Sequence, residues 1–218
     1  MQPTPPYDFA AAVEHLRRAD PRLAQVIDRL GPCRLQIDPA PTPYAALLES
    51  IVYQQLTGKA AATIFRRLCA LFDSGRVPPA RAIAAAPIER LREAGLSQAK
   101  ARAVKDLAEK TLARRIPSRR RLAAMPDEEI VARLTEVRGV GRWTVEMLLI
   151  FTLGRPDVLP VHDYGVRKGF ARAFGKRKLP APKALARHGE RWRPYRTVAS
   201  WYLWRVLDGP ADWASRQP

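Results

Sequence analysis

LTEVRGVGRWTVEMLLIFTLGRPDVLPVHD, residues Leu134 to Asp163, contains two helical patterns, a glycine turn between them and an aspartate beyond a Pro-bearing segment. Ile130 and Leu134 give an apolar face that ends at Val137. Gly139-Val140-Gly141 then forms a turn in which both glycines can take positive φ without steric cost. From Trp143 the pattern of Val145, Leu148, Leu149, Thr152 and Leu153 predicts a second helix. A hairpin of this kind points backbone N–H groups outward at a helix N-terminus, a geometry that suits an anion such as a DNA phosphate. Asp163 follows a Pro-rich approach and precedes another helical pattern. It therefore reads as a helix N-cap, a position that is also able to face a cleft.

Composition narrows the class. A chain of 218 residues with 47% hydrophobic content has enough apolar side chain for a full core. No apolar run approaches the ~20 residues of a membrane helix, and Met1 to Phe9 shows neither the basic start nor the apolar block of a secretory signal. Cys33 and Cys69 make neither a disulfide framework nor an iron–sulfur set, so a reduced, cytoplasmic setting is the expectation. Lys and Arg number 38 against 21 Asp and Glu, a formal charge of +17 that favours nucleic acid as partner. The excess gathers at Arg114-Arg115, Arg119 to Arg121, Arg167-Lys168 and Lys176 to Lys178; Arg119 to Arg121 reads equally as a solvated connector.

Helical patterns fill most of the rest. Phe9 to Arg18 and Leu23 to Leu30 flank Asp20-Pro21, a cap and first-turn pair. Cys33 to Ile37 is a short extended piece, too brief to found a sheet. Thr42-Pro43 opens a helix with Tyr44, Leu47, Leu48 and Ile51 on its apolar face, and Thr57 caps a helix that stops before Gly75. Ser97 caps Gln98 to Leu112, with Val104, Leu107 and Leu112 as core candidates. Tyr164 to Phe174 is amphipathic, and Pro194 starts a last helix to Leu207. The Pro-rich stretches near 39–43, 78–87 and 180–182 read as loops.

QQLTGKAA (54–61), GLSQAKA (95–101), VRGVGRWT (137–144), HDYGVRKG (162–169) and WRPYRTVA (192–199) occur in one order with plausible gaps. In this the chain resembles the helix-hairpin-helix (HhH-GPD) superfamily of DNA glycosylases, and within it the 3-methyladenine DNA glycosylase II branch. The resemblance implies an all-α fold of two helical subdomains with a DNA-binding cleft between them. The whole chain then forms one glycosylase domain, with residues 38–160 as the central bundle and 1–37 plus 161–218 as the second subdomain.

It also implies roles. Asp163 matches the catalytic aspartate, where a carboxylate stabilises the positive charge that builds on the sugar as the base departs. Trp143 stands where lyase members carry the lysine that forms a Schiff base, so the resemblance implies base release without strand cutting. Lys59, Lys100 and Lys168 do not occupy that position. Trp143, Trp204, Met147 and Tyr53 are the implied base pocket; Met147 departs from the tyrosine of some members, which leaves pocket shape open. Gln54, Gln55, Gly139, Gly141, Arg142, Thr144 and Lys59 are the implied DNA contacts, with Gln55 at the intercalating position. The backbone carbonyls of Thr135, Val137 and Val140 match a site for Na+ or K+; no other cofactor is implied. Glu146 faces either the cleft or solvent, and Arg193 and Arg196 either support the Asp163 loop or touch DNA.

The expectation is a monomeric, monofunctional glycosylase that flips alkylated purines out of double-stranded DNA. A glycosylase of the same fold for a neutral base (hypoxanthine, ethenoadenine or uracil) and a non-catalytic module that only binds damaged DNA are the alternatives.

Overall fold

The computed structural model describes residues 7–37, 40, 42–72 and 77–208. Short helices with strong local signals succeed one another. Asp8 accepts the N–H groups of Ala10 and Ala11 to start α1 (Phe9–Ala19), and Asp20 does the same for Arg22 and Leu23 at α2 (Pro21–Leu30), whose first residue is a proline. Then come α3 (Pro43–Tyr53), α4 (Gly58–Ala70), α5 (Ala80–Ala85), α6 (Ile88–Glu93), α7 (Gln98–Leu112), α8 (Arg119–Ala124), α9 (Asp127–Leu134) and α10 (Arg142–Met147). A π-helical turn, Leu148–Thr152, continues α10. The chain ends in α11 (Tyr164–Ala173), α12 (Pro182–Gly189) and α13 (Arg196–Asp208). No strand occurs among the described residues, and none of their helices is long and apolar enough to cross a membrane.

The described residues of Met1–Asp38 and Leu149–Pro218 pack as one unit, and those of Pro39–Leu148 as another. The second boundary lies earlier than residue 160. Thr197 explains why: its hydroxyl donates to Arg155 O and accepts from Val158 N–H, and its own N–H donates to Pro156 O, tying residues 155–158 to α13.

In the first unit, Leu16 of α1, Leu23 and Ile27 of α2, Val166 and Phe170 of α11 and Tyr202 and Leu203 of α13 close over Trp192. α11 and α13 meet at Gly169, where an added Cβ would stand 1.9 Å from Leu203 O. Asp20 is 2% exposed, and beyond its two cap bonds it accepts Trp192 Nε1–H at 2.9 Å and lies 2.8 Å from His188 Nε2. Burial pushes its carboxyl pKa up, but the bonds from His188, Trp192 and Leu23 outweigh that and hold it below the ordinary value. A lowered folded-state pKa makes the stabilisation fully present above the unfolded value of 3.8 and lost as pH falls through the folded one. Asp20→Asn keeps the cap and loses the charge. It is expected to cost about 2 kcal/mol at neutral pH, with the gap in melting temperature closing as denaturation is repeated at pH 3 and below.

Cys33 to Ile37 pairs with no strand among the described residues, in keeping with a piece too brief to found a sheet. Several other expectations are corrected. The stretch 78–87 contains α5, Arg119 to Arg121 open α8 behind a Ser118 cap, and Pro182 starts α12. These prolines stand at or just before helix starts, where the missing N–H has no helical partner to lose. Leu112, last residue of α7, is 54% exposed, whereas Val104 and Leu107 are fully buried. Thr57 holds the N-cap position of α4 without a side-chain bond, and α13 begins at Arg196, two residues after Pro194. Gly75 lies outside the described residues.

Candidate active site

The hairpin forms within the second unit. α9 ends at Leu134 with Thr135 as its C-cap; Val137 N–H bonds Leu134 O, and Val140 N–H bonds Val137 O at 3.0 Å. Only Gly139 needs the left-handed region, with φ +75; Gly141 sits in extended backbone at φ −93 as N-cap of α10. Being glycine, it brings no capping side chain to the first N–H groups of that helix. Past Met147 the wider π turn buries Leu148, Leu149 and Ile150 in succession, which a regular α stripe would not do.

Ser50, Tyr53, Gln54, Gln55, Leu56, Gly139, Gly141, Trp143, Thr144 and Met147 line a cavity of about 690 Å³ in this unit. The cavity thus gathers most of the residues implied for the base pocket and the DNA contacts. Trp143 is 48% exposed, a large aromatic surface left to solvent. Tyr53 meets Phe65 edge-on at 6.3 Å. Gln54 is the C-cap of α3, and its amide donates to Gly139 O at 2.9 Å and to Thr144 Oγ1 at 3.3 Å. Gln55 is exposed at φ +56, a conformation a non-glycine residue adopts only when its surroundings impose it.

Thr144 is 4% exposed, and its hydroxyl accepts the Gln54 amide N–H, a contact that positions the loop. Arg142 is also engaged: its guanidinium forks onto Glu128 at 3.0 and 2.6 Å and approaches the buried Glu146 at 3.9 Å. The Arg142 hydrogen bond holds the Glu128 carboxyl below its usual range. Lys59 stands exposed on the first turn of α4 and is not among the residues lining the cavity.

Asp163, Trp204 and their supports belong to the first unit. Asp163 is the N-cap of α11, and its Oδ1 accepts Val166 N–H at 2.7 Å and Trp204 Nε1–H at 2.9 Å. The cap reading and the aspartate's prominence in sequence therefore meet in one half-buried carboxylate with a fixed plane. Trp204, expected as a pocket wall, directs its edge to Asp163 and stacks one face on Phe151, centroids 5.8 Å apart at 28°. Gly165 is required between them, since an added Cβ would lie 2.9 Å from Trp204 Cδ1 and 3.1 Å from Asp163 Oδ1.

The approach to Asp163 is braced. Arg196 Nε and Arg193 Nη1 pair with Asp157 at 2.7 and 2.6 Å, and both arginines also reach Glu190. Asp163 N–H closes the following turn on Pro160 O. These pairs give Arg193 and Arg196 the supporting role that was one of the two open to them. His162 is an exposed neighbour of Asp163. Ser50, Leu56, Phe151 and Gly165 escaped the sequence reading. Ser50 precedes Gln54 by one helical turn, and that spacing is the signal that reaches it.

The model of the HhH-GPD superfamily of base excision DNA repair proteins matches residues 48–194, and the chain belongs to this family. It is 32% identical over 200 residues to the alkylbase DNA glycosidase-like protein mag2 of Schizosaccharomyces pombe, covering 91% of this chain and 94% of that one. It is 39% identical over 164 residues to DNA-3-methyladenine glycosylase 1 of the same yeast, covering 75% and 72%. The solved structure of the Schizosaccharomyces pombe 3-methyladenine DNA glycosylase Mag1 with abasic DNA superposes with a TM-score of 0.82 at 35% identity, over 93% of this chain and 98% of that one.

Proposed function

We propose that the protein is a monofunctional DNA glycosylase that excises alkylated purines from double-stranded DNA and so initiates base-excision repair, acting as a monomer. The observation that carries this is the Asp163 carboxylate, oriented by Val166 N–H and Trp204 Nε1–H at the head of α11 in a member of the base-excision family.

In this reading the C1′–N bond breaks with its electron pair leaving on the base. Asp163 stabilises the cationic sugar, and a water adds to C1′ and gives up a proton to solvent. Trp143 stacks on the extruded base and Gln55 fills the space it leaves, at a flipping cost of a few kcal/mol. Gly139 and Gly141 turn backbone N–H groups toward a DNA phosphate. Trp143 offers an indole, not an amine, so no Schiff base forms at that position.

An N3- or N7-alkylated purine is already positive, which explains a site that needs no general acid for the leaving group. Cation–π attraction to Trp143 contributes ~0.5–2 kcal/mol, and the weakened glycosidic bond of the charged lesion supplies the remaining selectivity. The reaction requires no cofactor. The backbone carbonyls of Thr135, Val137 and Val140 are neutral oxygen donors, a chemistry that suits Na+ or K+ better than a transition metal; such an ion would stiffen the hairpin.

The test is a panel of lesions in otherwise identical duplexes. 3-methyladenine and 7-methylguanine are expected to be released, with hypoxanthine, ethenoadenine and uracil released far more slowly. Trp143→Ala is expected to slow 7-methylguanine release by up to about thirty-fold, the ceiling set by one cation–π contact. Faster release of a neutral base, or a DNA adduct trapped by borohydride, would overturn the reading.

A further inference from the structure

α3 ends in two carbonyl groups that meet a lysine. Lys100, on the first turn of α7, donates from Nζ to Val52 O and to Gln54 O, both at 2.7 Å. Unsatisfied carbonyls at a helix C-terminus carry partial negative charge, and an ammonium is their natural complement. Lys100 is half-buried, and burial pulls its pKa down. Its charge faces main-chain oxygens where a surface lysine would face water or a carboxylate.

The same helix reaches the hairpin. Six residues along α7, about 9 Å at helical rise, Asp106 Oδ2 accepts Arg138 N–H at 2.8 Å and its Oδ1 pairs with Lys110. Gly139 presses on α7 as well, since a Cβ there would lie 3.2 Å from Ala103 Cβ. The side-chain amide of Gln54 then closes the circuit onto Gly139 O. α7 therefore grips the Gln54–Gln55 corner at one point and the glycine hairpin at another. Gln55, immediately past the gripped carbonyl, is the residue held at φ +56.

We propose that Lys100 is a positioning residue for base extrusion: by clamping the carbonyls of Val52 and Gln54 it holds Gln55 in its left-handed conformation, at a spacing from the hairpin set by α7. This rests on the reading of Gln55 as the residue that fills the space left by the flipped base. Lys100 touches neither the base nor the sugar in this account. Its removal should slow the steps that need Gln55 and leave the hairpin's grip on undamaged DNA in place.

The test is a double-mutant cycle on the full chain, read by single-turnover release of 7-methylguanine at saturating protein, with melting temperatures in parallel. Lys100→Met is expected to slow release by roughly ten- to a hundredfold, up to the ~10²-fold that a 1 Å misplacement costs. Lys100→Arg, which keeps charge and donors, should recover part of that loss. The double variant with Gln55→Ala should be no slower than Gln55→Ala alone, because the two changes remove one function. Should Lys100→Met melt below the assay temperature, Lys100→Gln takes its place with the same expectations. Losses that multiply in the double variant, or a folded Lys100 variant as fast as wild type, would overturn the clamp and leave the role of Gln55 standing. A Gln55→Ala protein with undiminished release would overturn the Gln55 reading itself, and the clamp with it.

Discussion

Asp163→Asn is expected to slow release of methylated purines by a factor on the order of 10²–10³ while leaving the protein folded and its affinity for duplex DNA little changed. The substitution is informative because it is nearly isosteric. Asparagine caps helices about as well as aspartate, and its amide oxygen can still accept the N–H groups of Val166 and Trp204 that now meet Oδ1. What disappears is the negative charge that would face a cationic sugar. Asp163→Ala would confuse the issue, since losing the cap alone costs ~1 kcal/mol. Single-turnover release and filter binding on the same preparations separate the two quantities. Equal loss of binding and release would mean that Asp163 supports structure; unchanged release would mean that the chemistry lies elsewhere.

The largest loss of stability is expected from Gly169→Ala. A Cβ at this position would lie 1.9 Å from Leu203 O, 2.6 Å from Leu203 C and 3.2 Å from its Cα, all main-chain atoms of α13. No side-chain rotation relieves that clash, so α11 and α13 must separate. Overpacking in a core costs ~1–3 kcal/mol when side chains can adjust, and a backbone contact sits at or above the top of that range. For a chain of this size ~3 kcal/mol corresponds to a fall in melting temperature of roughly 10 °C. Activity should fall further than stability alone requires. Asp163 caps α11 and Trp204 follows Leu203 on α13, so parting the helices also parts the indole N–H from the carboxylate. Gly58→Ala is the control: nothing lies within 4 Å of an added Cβ there, and its melting temperature should equal or slightly exceed that of wild type. Thermal denaturation of the three proteins decides it.

What the sequence made legible was local. The hairpin, the Ser97 and Asp20 caps and the N-cap at Asp163 are written in residues a few positions apart, and the structure forms each of them. The gathering of Tyr53, Gln54, Gln55, Gly139, Trp143 and Met147 around one cavity followed from family resemblance, since periodicity does not bring α3 to the hairpin. The remainder was hidden by distance along the chain or by ambiguous residue types. Trp204 reaches Asp163 across 41 positions and Arg196 reaches Asp157 across 39, and no spacing rule anticipates either. Gly169 looks like an ordinary helical glycine until Leu203 is placed beside it. α12 was missed because Pro180 and Pro182 read as loop, although proline is favoured at a helix start. The partners that Arg142 and Thr144 find within the fold, Glu128 and Gln54, were likewise not written in local spacing.

The central claim, that this chain hydrolyses the glycosidic bond of alkylated purines, is tested most directly by incubating methylated duplex DNA with excess purified protein and separating the free bases by chromatography. 3-Methyladenine and 7-methylguanine are expected to appear as free bases while the strand stays intact until alkali is added. Duplex that is bound but yields no free base at any protein concentration would contradict it.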